Sequence, residues 1–303
     1  MVIPAMGIAA AVAAIALGED VWAALAMGVA GAAFAGAIRA LAGDAPAALA
    51  GAILAPLLAA AMLRDQGELA LTGCLALAAM AWTVAELVRP TPTEVPPLVA
   101  MAPATIAALL EPAFVVLVAI AGARAVTAMR PRPRWVIALP IVGGLVAILA
   151  VIAGTAHGGA FARLAHHWFA HPRAAGTHAD GGAAAASRLG TALGPLAAVA
   201  TLGGLLGLAR LRLAELAIGA CLAGALLVDL RAGTPGTAAI GTAALLAGLA
   251  VASFAARIRI APAQAVVGAT LGMLLLIPPA WSTLAYGPAV STGATARSGP
   301  RSR

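Results

Sequence analysis

Apolar runs, most of them close to the roughly 20 residues that a helix needs to cross a bilayer, follow one another through almost the whole chain. Arginines, acids and prolines separate them, and charged residues make up only 10% of the sequence. So few charges cannot cover the surface of a soluble protein of this length. Inside lipid every backbone N–H and C=O needs a partner within the protein, which a helix supplies. The sequence therefore predicts an all-α fold, a polytopic transmembrane helix bundle.

About ten runs reach or approach the length of a span. The chain divides into an N-terminal transmembrane half (1–153), a histidine-rich loop (154–188), a C-terminal transmembrane half (189–286) and a tail (287–303) whose polar composition predicts disorder. We expect the last span to break late, at Pro278 and Pro279. The expected spans are Val2–Leu17, Val21–Ile38, Ala45–Leu63, Leu69–Val88, Leu98–Ala123, Trp135–Ala153, Leu189–Ala209, Leu213–Leu230, Thr237–Ala256 and Ala263–Leu284.

The fifth run, Leu98–Ala123, is irregular, because it is too long for one untilted span and too short for two. Pro103 interrupts it, and Pro112 directly follows Glu111 near its middle. The run is either one kinked helix or a re-entrant element that precedes a span. An acid at membrane depth is a functional candidate by default. Glu111 is therefore a candidate site residue, and a kink that meets water or an interface would accommodate it equally well.

The arginines indicate orientation, because short loops rich in basic residues stay in the cytoplasm. If the fifth run crosses once, the clusters at 130–134, 210–212 and 257–259 share the cytoplasmic face, and Glu19 and Asp20 lie inside. If it crosses an even number of times or re-enters, Arg39 and Arg89 join those clusters inside, and Glu19 and Asp20 move outside. Both versions place the histidine-rich loop on the extracytoplasmic side.

The histidine-rich loop holds all five histidines of the chain. Its apolar residues recur at helical spacing and predict an amphipathic interfacial helix; they are Phe161, Leu164, Ala165 and Trp168. His167 and His171 are four residues apart, the spacing by which one helix face chelates a divalent metal. His166 and His157 could complete such a site. The histidines are otherwise polar residues of a solvated loop, or a pH sensor.

Glu19 and Asp20 follow the first span directly. An acidic pair in this position resembles the first external loop of multi-pass glycosyltransferases that use lipid-linked sugars. That resemblance, which covers two residues, implies a catalytic role for Glu19 and Asp20. The other interpretation is an ordinary acidic turn at the end of a helix.

Several residues are expected to pack between helices or to lie at helix boundaries. Cys74 and Cys221 lie in separate apolar runs and are predicted to be small packing residues. Glu86, three residues before Arg89, is predicted to lie at a boundary, in contact with water or an arginine. Glycines four apart let helices approach closely, and we expect bundle packing at Gly190 and Gly194, Gly203 and Gly207, and Gly268 and Gly272.

The functional prediction is a transport or permease-like component, rather than an enzyme, that handles a small solute, proton or metal ion. Eighteen arginines without a lysine are typical of a GC-rich genome, which suggests a bacterial inner membrane. The expected partners are the bilayer, a solute and other proteins through helix packing, but not nucleic acid. The sequence contains no nucleotide-binding loop and no haem-attachment motif, so no cofactor is predicted. The alternatives are a glycosyltransferase-like membrane enzyme acting on a lipid-linked substrate at the outer face, and a non-catalytic scaffold or assembly subunit.

Overall fold

The computed structural model describes residues 21–43, 46–65, 71–89, 101–128, 199–204, 217–225 and 236–286, with residues 7, 8, 11, 12 and 15. Every regular element in these ranges is helical, which confirms the all-α prediction for them. Three helices are long and apolar enough to cross a membrane, namely Val21–Ala42, Leu71–Val88 and Thr237–Ala255. Such helices are those of an integral membrane protein. The loop 154–188 with its predicted amphipathic helix, the tail 287–303 and several predicted spans lie outside the described residues.

The helices are labelled here in chain order. They are α1 (Val21–Ala42), α2 (Pro46–Asp65), α3 (Leu71–Val88), α4 (Met101–Leu110), a 3-10 turn (Pro112–Phe114), α5 (Val115–Ala128), α6 (Thr237–Ala255) and α7 (Ala261–Tyr286). Residues 199–204 and 217–225 are also helical. Alanine, the strongest helix former, contributes much of the described core, and its small side chain lets the helices approach closely.

Three residues separate α1 from α2 in sequence. Gly43 has a φ of 82°, and its N–H donates to the carbonyl of Arg39 (2.9 Å), which ends α1. α2 begins at Pro46, a residue suited to the first position of a helix, and packs back on α1. So short a connection between long packed helices makes them antiparallel.

α6 lies in the middle of the described bundle, in contact with α1, α2, α3 and α7. It crosses α2 where two glycines meet: a Cβ on Gly248 would lie 2.7 Å from the carbonyl oxygen of Gly51, and a Cβ on Gly51 would collide with the carbonyl of Gly248. Gly51 also faces Ala252, and Gly248 faces Ala55. Ala252 comes later in α6 than Gly248, whereas its partner Gly51 comes earlier in α2 than Ala55. These two helices therefore run antiparallel.

The helix directions bring arginines to one end of the bundle. α1 and α6 both run opposite to α2. The residues between α2 and α3 can span at most roughly 20 Å, which is less than the length of α1. α3 therefore begins near the end of α2, beside the start of α1. Because α3 packs along α1, the two helices run parallel. α1, α3 and α6 therefore end on the same side, called here the arginine end. Its exposed arginines are Arg39, Arg89, Arg257 and Arg259.

Two packing predictions are confirmed in the described residues. A Cβ on Gly268 would lie 2.5 Å from the Cβ of Ala50, and one on Gly272 would lie 3.8 Å from Leu54, so this glycine pair packs α7 on α2. A Cβ on Gly203 would lie 3.8 Å from the Cβ of Ala250 in α6. The other glycines of the three pairs lie outside the described residues.

The second confirmed prediction concerns the cysteines. Cys74 and Cys221 are both buried and are not joined in a disulfide.

The predicted late break at Pro278 and Pro279 is wrong. α7 continues through both prolines to Tyr286. Each proline removes one backbone N–H, and a transmembrane helix tolerates such a loss where neighbouring groups bond the freed carbonyl.

Candidate functional site

The fifth apolar run folds into two short helices that turn back on each other. α4 and α5 pack against each other, and both contact α3. Only residues 111–114 separate them. Two consecutive pieces of a straight helix would meet end to end and could not pack in this way. The run is therefore a helical hairpin, with the 3-10 turn Pro112–Phe114 at its tip and Glu111 immediately before that turn.

Pro112 explains where α4 stops. It has no N–H, so the carbonyl of Ala108 lacks the donor that a continuing helix would offer. The N–H of Glu111 still donates to the carbonyl of Ala107 (2.8 Å). The N–H of Phe114 donates to the carbonyl of Glu111 (3.0 Å), which closes the 3-10 turn. Regular α-helical bonding thus ends at Glu111 and resumes in α5.

The predicted interruption at Pro103 is wrong. Pro103 is the third residue of α4, which runs from Met101 to Leu110 without a break. The N–H groups of the first turn of a helix have no partner within the helix, so a proline there removes no helical hydrogen bond.

Glu111 lies in the protein interior. Its exposed fraction is 7%, and among the described charged side chains it is the one that is buried. The neighbouring side chains of Ala113, Phe114 and Leu117 are buried as well. A second helical segment, 217–225, covers the tip: a Cβ on Gly224 would lie 2.7 Å from the carbonyl oxygen of Ala113. The carboxylate is therefore at a helix break enclosed by protein.

Polar contacts hold the open end of the hairpin to α3. The guanidinium of Arg124 in α5 donates to the backbone carbonyl of Arg89 (2.5 Å), where a positive charge is also favoured by the helix dipole. The carboxylate of Glu86 accepts from Arg89 (2.8 Å) and from the indole N–H of Trp82 (3.3 Å). This confirms that Glu86 is a boundary residue beside an arginine. We call Glu86, Arg89 and Arg124 the Arg124 clasp.

The clasp also gives the depth of Glu111. Arg124 lies beside Arg89 at the arginine end, and about 14 Å of helix separates Arg124 from the start of α5. The ten residues of α4 rise about 15 Å. The 18 residues of α3 rise about 27 Å, so the tip lies about half-way along α3. The hairpin is not one kinked helix, and its second arm is shorter than the span that was expected to follow a re-entrant element.

The other predicted site residues lie outside the described residues. They are Glu19, Asp20, His157, His166, His167 and His171. Within the described part of the chain, no three His, Cys, Asp or Glu side chains are close enough to hold a metal ion. Neither the metal prediction nor the catalytic one is tested by these contacts.

Comparison with protein-family models, with curated proteins and with solved structures finds no match for this chain. Its function is therefore argued from its own residues.

Sequence reasoning missed two residues of the site. Arg124 falls just after the apolar run, and its contact with Arg89 joins residues 35 positions apart. Gly224 is one glycine among 34 in the chain, so nothing in the sequence marks it as the residue that touches the hairpin.

Proposed function

We propose that this chain is a transport component of a bacterial inner membrane, and that Glu111 contacts the small solute, proton or metal ion it moves. The observation that carries the proposal is a buried carboxylate at the tip of a broken-helix hairpin. Burying an ionisable group costs several kcal/mol unless a partner or a bound ion compensates it. A charged side chain inside an apolar segment is a functional candidate by default, and Glu111 is therefore the residue expected to contact what the protein moves.

The helix break supports the same function. Irregular backbone at membrane depth is tolerated where protein or a water-filled cavity covers it. Membrane transporters use such breaks, because the ends of half-helices offer free backbone groups to a substrate near the middle of the bilayer. The tip of the α4–α5 hairpin combines a break of this kind with the Glu111 carboxylate.

The arginine end supports an orientation for this transporter. Arg39, Arg89, Arg257 and Arg259 are exposed at one end of the bundle, and the positive-inside rule assigns that end to the cytoplasm. The hairpin then opens towards the cytoplasm, and the loop 154–188 faces the other side. With a re-entrant fifth run, the remaining predicted spans amount to about nine crossings.

The experiment is a flux assay with the full-length protein in liposomes. The panel consists of protons, sodium, rubidium, zinc and small neutral osmolytes, each compared with empty liposomes. We expect one flux to fall roughly tenfold or more in Glu111→Gln, since a lost charge-assisted contact is worth about 1.5–3 kcal/mol. Glu86→Gln is the matched control, because glutamine keeps the oxygen that accepts from Arg89 and Trp82.

Two results contradict the transport proposal. The first is the absence of any flux above that of empty liposomes. The second is a flux that is equal in wild type, Glu111→Gln and Glu86→Gln.

One observation supports the enzyme alternative. A Cβ on Gly7 would lie 3.3 Å from the Cβ of Ala32, and one on Gly28 would lie 3.0 Å from that of Ala11, so Gly7 and Ala11 meet α1 in antiparallel order. α1 begins at the end opposite the arginine end. Glu19 and Asp20, which precede α1 in sequence, are then proposed to share a side with the loop 154–188.

The test of this alternative is sugar transfer from a polyprenyl-phosphate-linked donor to an acceptor lipid. If Glu19 and Asp20 are catalytic, the double variant Glu19→Gln, Asp20→Asn loses transfer while retaining the thermal midpoint of the wild type. Equal transfer by both proteins, or none by wild type, rejects the alternative.

A further inference from the structure

We infer that the turn between α6 and α7 binds an anionic phospholipid, with Arg257 and Arg259 in contact with the phosphate of its headgroup. The turn consists of residues 256–260 and is called here the α6–α7 turn. This site goes beyond the transport proposal and does not depend on it, because it lies at the arginine end of the bundle rather than at the hairpin tip.

The α6–α7 turn has a backbone fixed by hydrogen bonds. The N–H of Arg257 donates to the carbonyl of Phe254 (3.1 Å), and the N–H of Ile258 donates to the carbonyl of Ala255 (3.0 Å). The side-chain Nε2 of Gln264, near the start of α7, donates to the carbonyl of Ile258 (2.5 Å). These bonds tie the middle of the turn to both helices.

The fixed turn presents two arginines at the surface. Arg257 and Arg259 are exposed, whereas Ile258 between them is half-buried. A guanidinium group offers a planar fork of N–H donors that matches the oxygens of a phosphate. Two such groups separated by one residue are close enough to contact the same headgroup.

The described acids leave the charge of this turn without a counter-charge. The chain contains no Asp or Glu after Asp229, so α6, the turn and α7 have none. The acid of α2, which packs on both helices, is Asp65, at the end of α2 opposite the arginine end. Glu86 of α3 is already paired with Arg89 (2.8 Å). An anionic ligand therefore complements the α6–α7 turn.

The position of the turn favours a lipid over a phosphate ion in solution. The 19 residues of α6 rise about 28 Å, close to the roughly 30 Å of a hydrocarbon core, so the turn lies at the level of the headgroups. Phe254 and Ile260 flank the arginines and are 54% and 64% exposed. Val266, Met273 and Ile277 of α7 are exposed as well. Apolar side chains beside an arginine pair match a ligand that has acyl chains next to its phosphate.

The arginine pair also selects the class of headgroup. Basic residues near a membrane surface are attracted to anionic lipids, and each contributes roughly fivefold to the affinity. In a zwitterionic headgroup a quaternary ammonium offsets the phosphate charge, so the attraction to two arginines is weaker. We therefore expect a phospholipid with a net negative charge, such as phosphatidylglycerol, in the leaflet at the arginine end.

The experiment measures lipid binding to the purified full-length protein in a neutral detergent. Phosphatidylglycerol, phosphatidylcholine and inorganic phosphate are titrated separately, native mass spectrometry counts the bound molecules, and thermal unfolding without lipid reports on folding. The test variant carries Arg257→Gln and Arg259→Gln. The matched control carries Arg297→Gln and Arg301→Gln, which remove the same charge from the tail 287–303.

We expect wild type to bind phosphatidylglycerol more tightly than phosphatidylcholine. The test variant should weaken the tightest phosphatidylglycerol binding roughly tenfold or more, whereas the control variant binds like wild type. Both variants should keep the lipid-free unfolding midpoint of wild type, because the replaced side chains of the turn are exposed. If the double change lowers that midpoint, the single variants Arg257→Gln and Arg259→Gln replace it, each with a loss of roughly fivefold.

Three results overturn the inference. The first is equal affinity of wild type for phosphatidylglycerol and phosphatidylcholine. The second is an equal loss in the test and control variants, which would mean that total charge rather than the α6–α7 turn attracts the lipid. The third is inorganic phosphate that binds wild type as tightly as phosphatidylglycerol, which would assign the arginine pair to an ion in solution.

Discussion

At the scale of single residues, Pro112 has as large a role in the site as Glu111. Glu111 supplies the charge. Pro112 has no N–H to donate to the Ala108 carbonyl, so α4 ends at Leu110, immediately before Glu111. Pro103, in the first turn of α4, has no such effect, because the first turn of a helix makes no use of its N–H groups. The two prolines of the fifth run are thus structurally unequal.

This inequality gives a prediction. Pro112→Ala restores an N–H that can donate to Ala108, which favours a straight helix through the tip and moves Glu111 out of place. We expect the Glu111-dependent flux to fall roughly tenfold, whereas Pro103→Ala keeps the wild-type flux, with both measured in liposomes. A Pro112→Ala protein with unchanged flux would show that the break is dispensable.

At the scale of elements, the hairpin is held at both ends by contacts with other helices. Its tip touches the segment 217–225 at Gly224, and its open end is bound to α3 by Arg124. Neither arm reaches the length of a span, so isolated α4 or α5 would leave helix ends in lipid without partners. The hairpin therefore depends on its neighbours.

The contact at Gly224 can be tested with a matched pair. A Cβ at position 224 would lie 2.7 Å from the Ala113 carbonyl, whereas one at Gly219, in the same segment, would have nothing within 4 Å. Gly224→Ala should destabilise the protein by about 1–3 kcal/mol through overpacking. Gly219→Ala should be neutral or slightly stabilising, because alanine is the better helix former. Unfolding in detergent measures both, and equal midpoints would contradict this contact.

The Arg124 clasp gives another prediction at this scale. Arg124→Met removes the hydrogen bond to the Arg89 carbonyl and should cost about 1 kcal/mol of unfolding free energy, since solvent screens a partly exposed contact. Arg259→Met, at an exposed position on the same end, is the control and should change the free energy by less than about 0.5 kcal/mol. If denaturant unfolding gives the same loss for both variants, the clasp does not stabilise the hairpin.

At the scale of the whole molecule, the parity of crossings decides which loops share a side. α1, α3 and α6 end together, and α5 returns to the same end beside Arg89. A fifth run that crossed once would separate the end of α3 from the arginines after α6. A re-entrant run keeps them together.

Single cysteines test this parity. Cys74 and Cys221 are 0% and 1% exposed, so they give little background labelling. We expect Thr93→Cys and Arg257→Cys to react with a membrane-impermeant maleimide from one side of the membrane, and Ser187→Cys from the other. Labelling of Thr93→Cys from the side opposite Arg257→Cys would mean that the fifth run crosses the bilayer.

Much of the architecture was accessible from hydropathy. Runs such as Leu71–Val88 are long and apolar, and their helical state follows from backbone hydrogen bonding in lipid rather than from any distant contact. Glu111 was identifiable as a candidate because a charge amid an apolar run stands out. The helix breaks predicted at Pro103, Pro278 and Pro279 were wrong, because the effect of a proline depends on its place within the helix and on neighbouring groups.

The sequence by itself determined that the described apolar runs are helical, approximately where α1, α2, α3, α6 and α7 begin and end, and which acid lies near the middle of the fifth run. These properties depend on residues within one turn or one span of each other. Only the tertiary structure decided that the fifth run turns back, that Glu111 is enclosed, and that Arg39, Arg89 and Arg257 share an end. The physical reason is that Pro112 ends a helix without setting the direction of the chain. That direction comes from distant partners, Arg124 on Arg89 and Gly224 on Ala113.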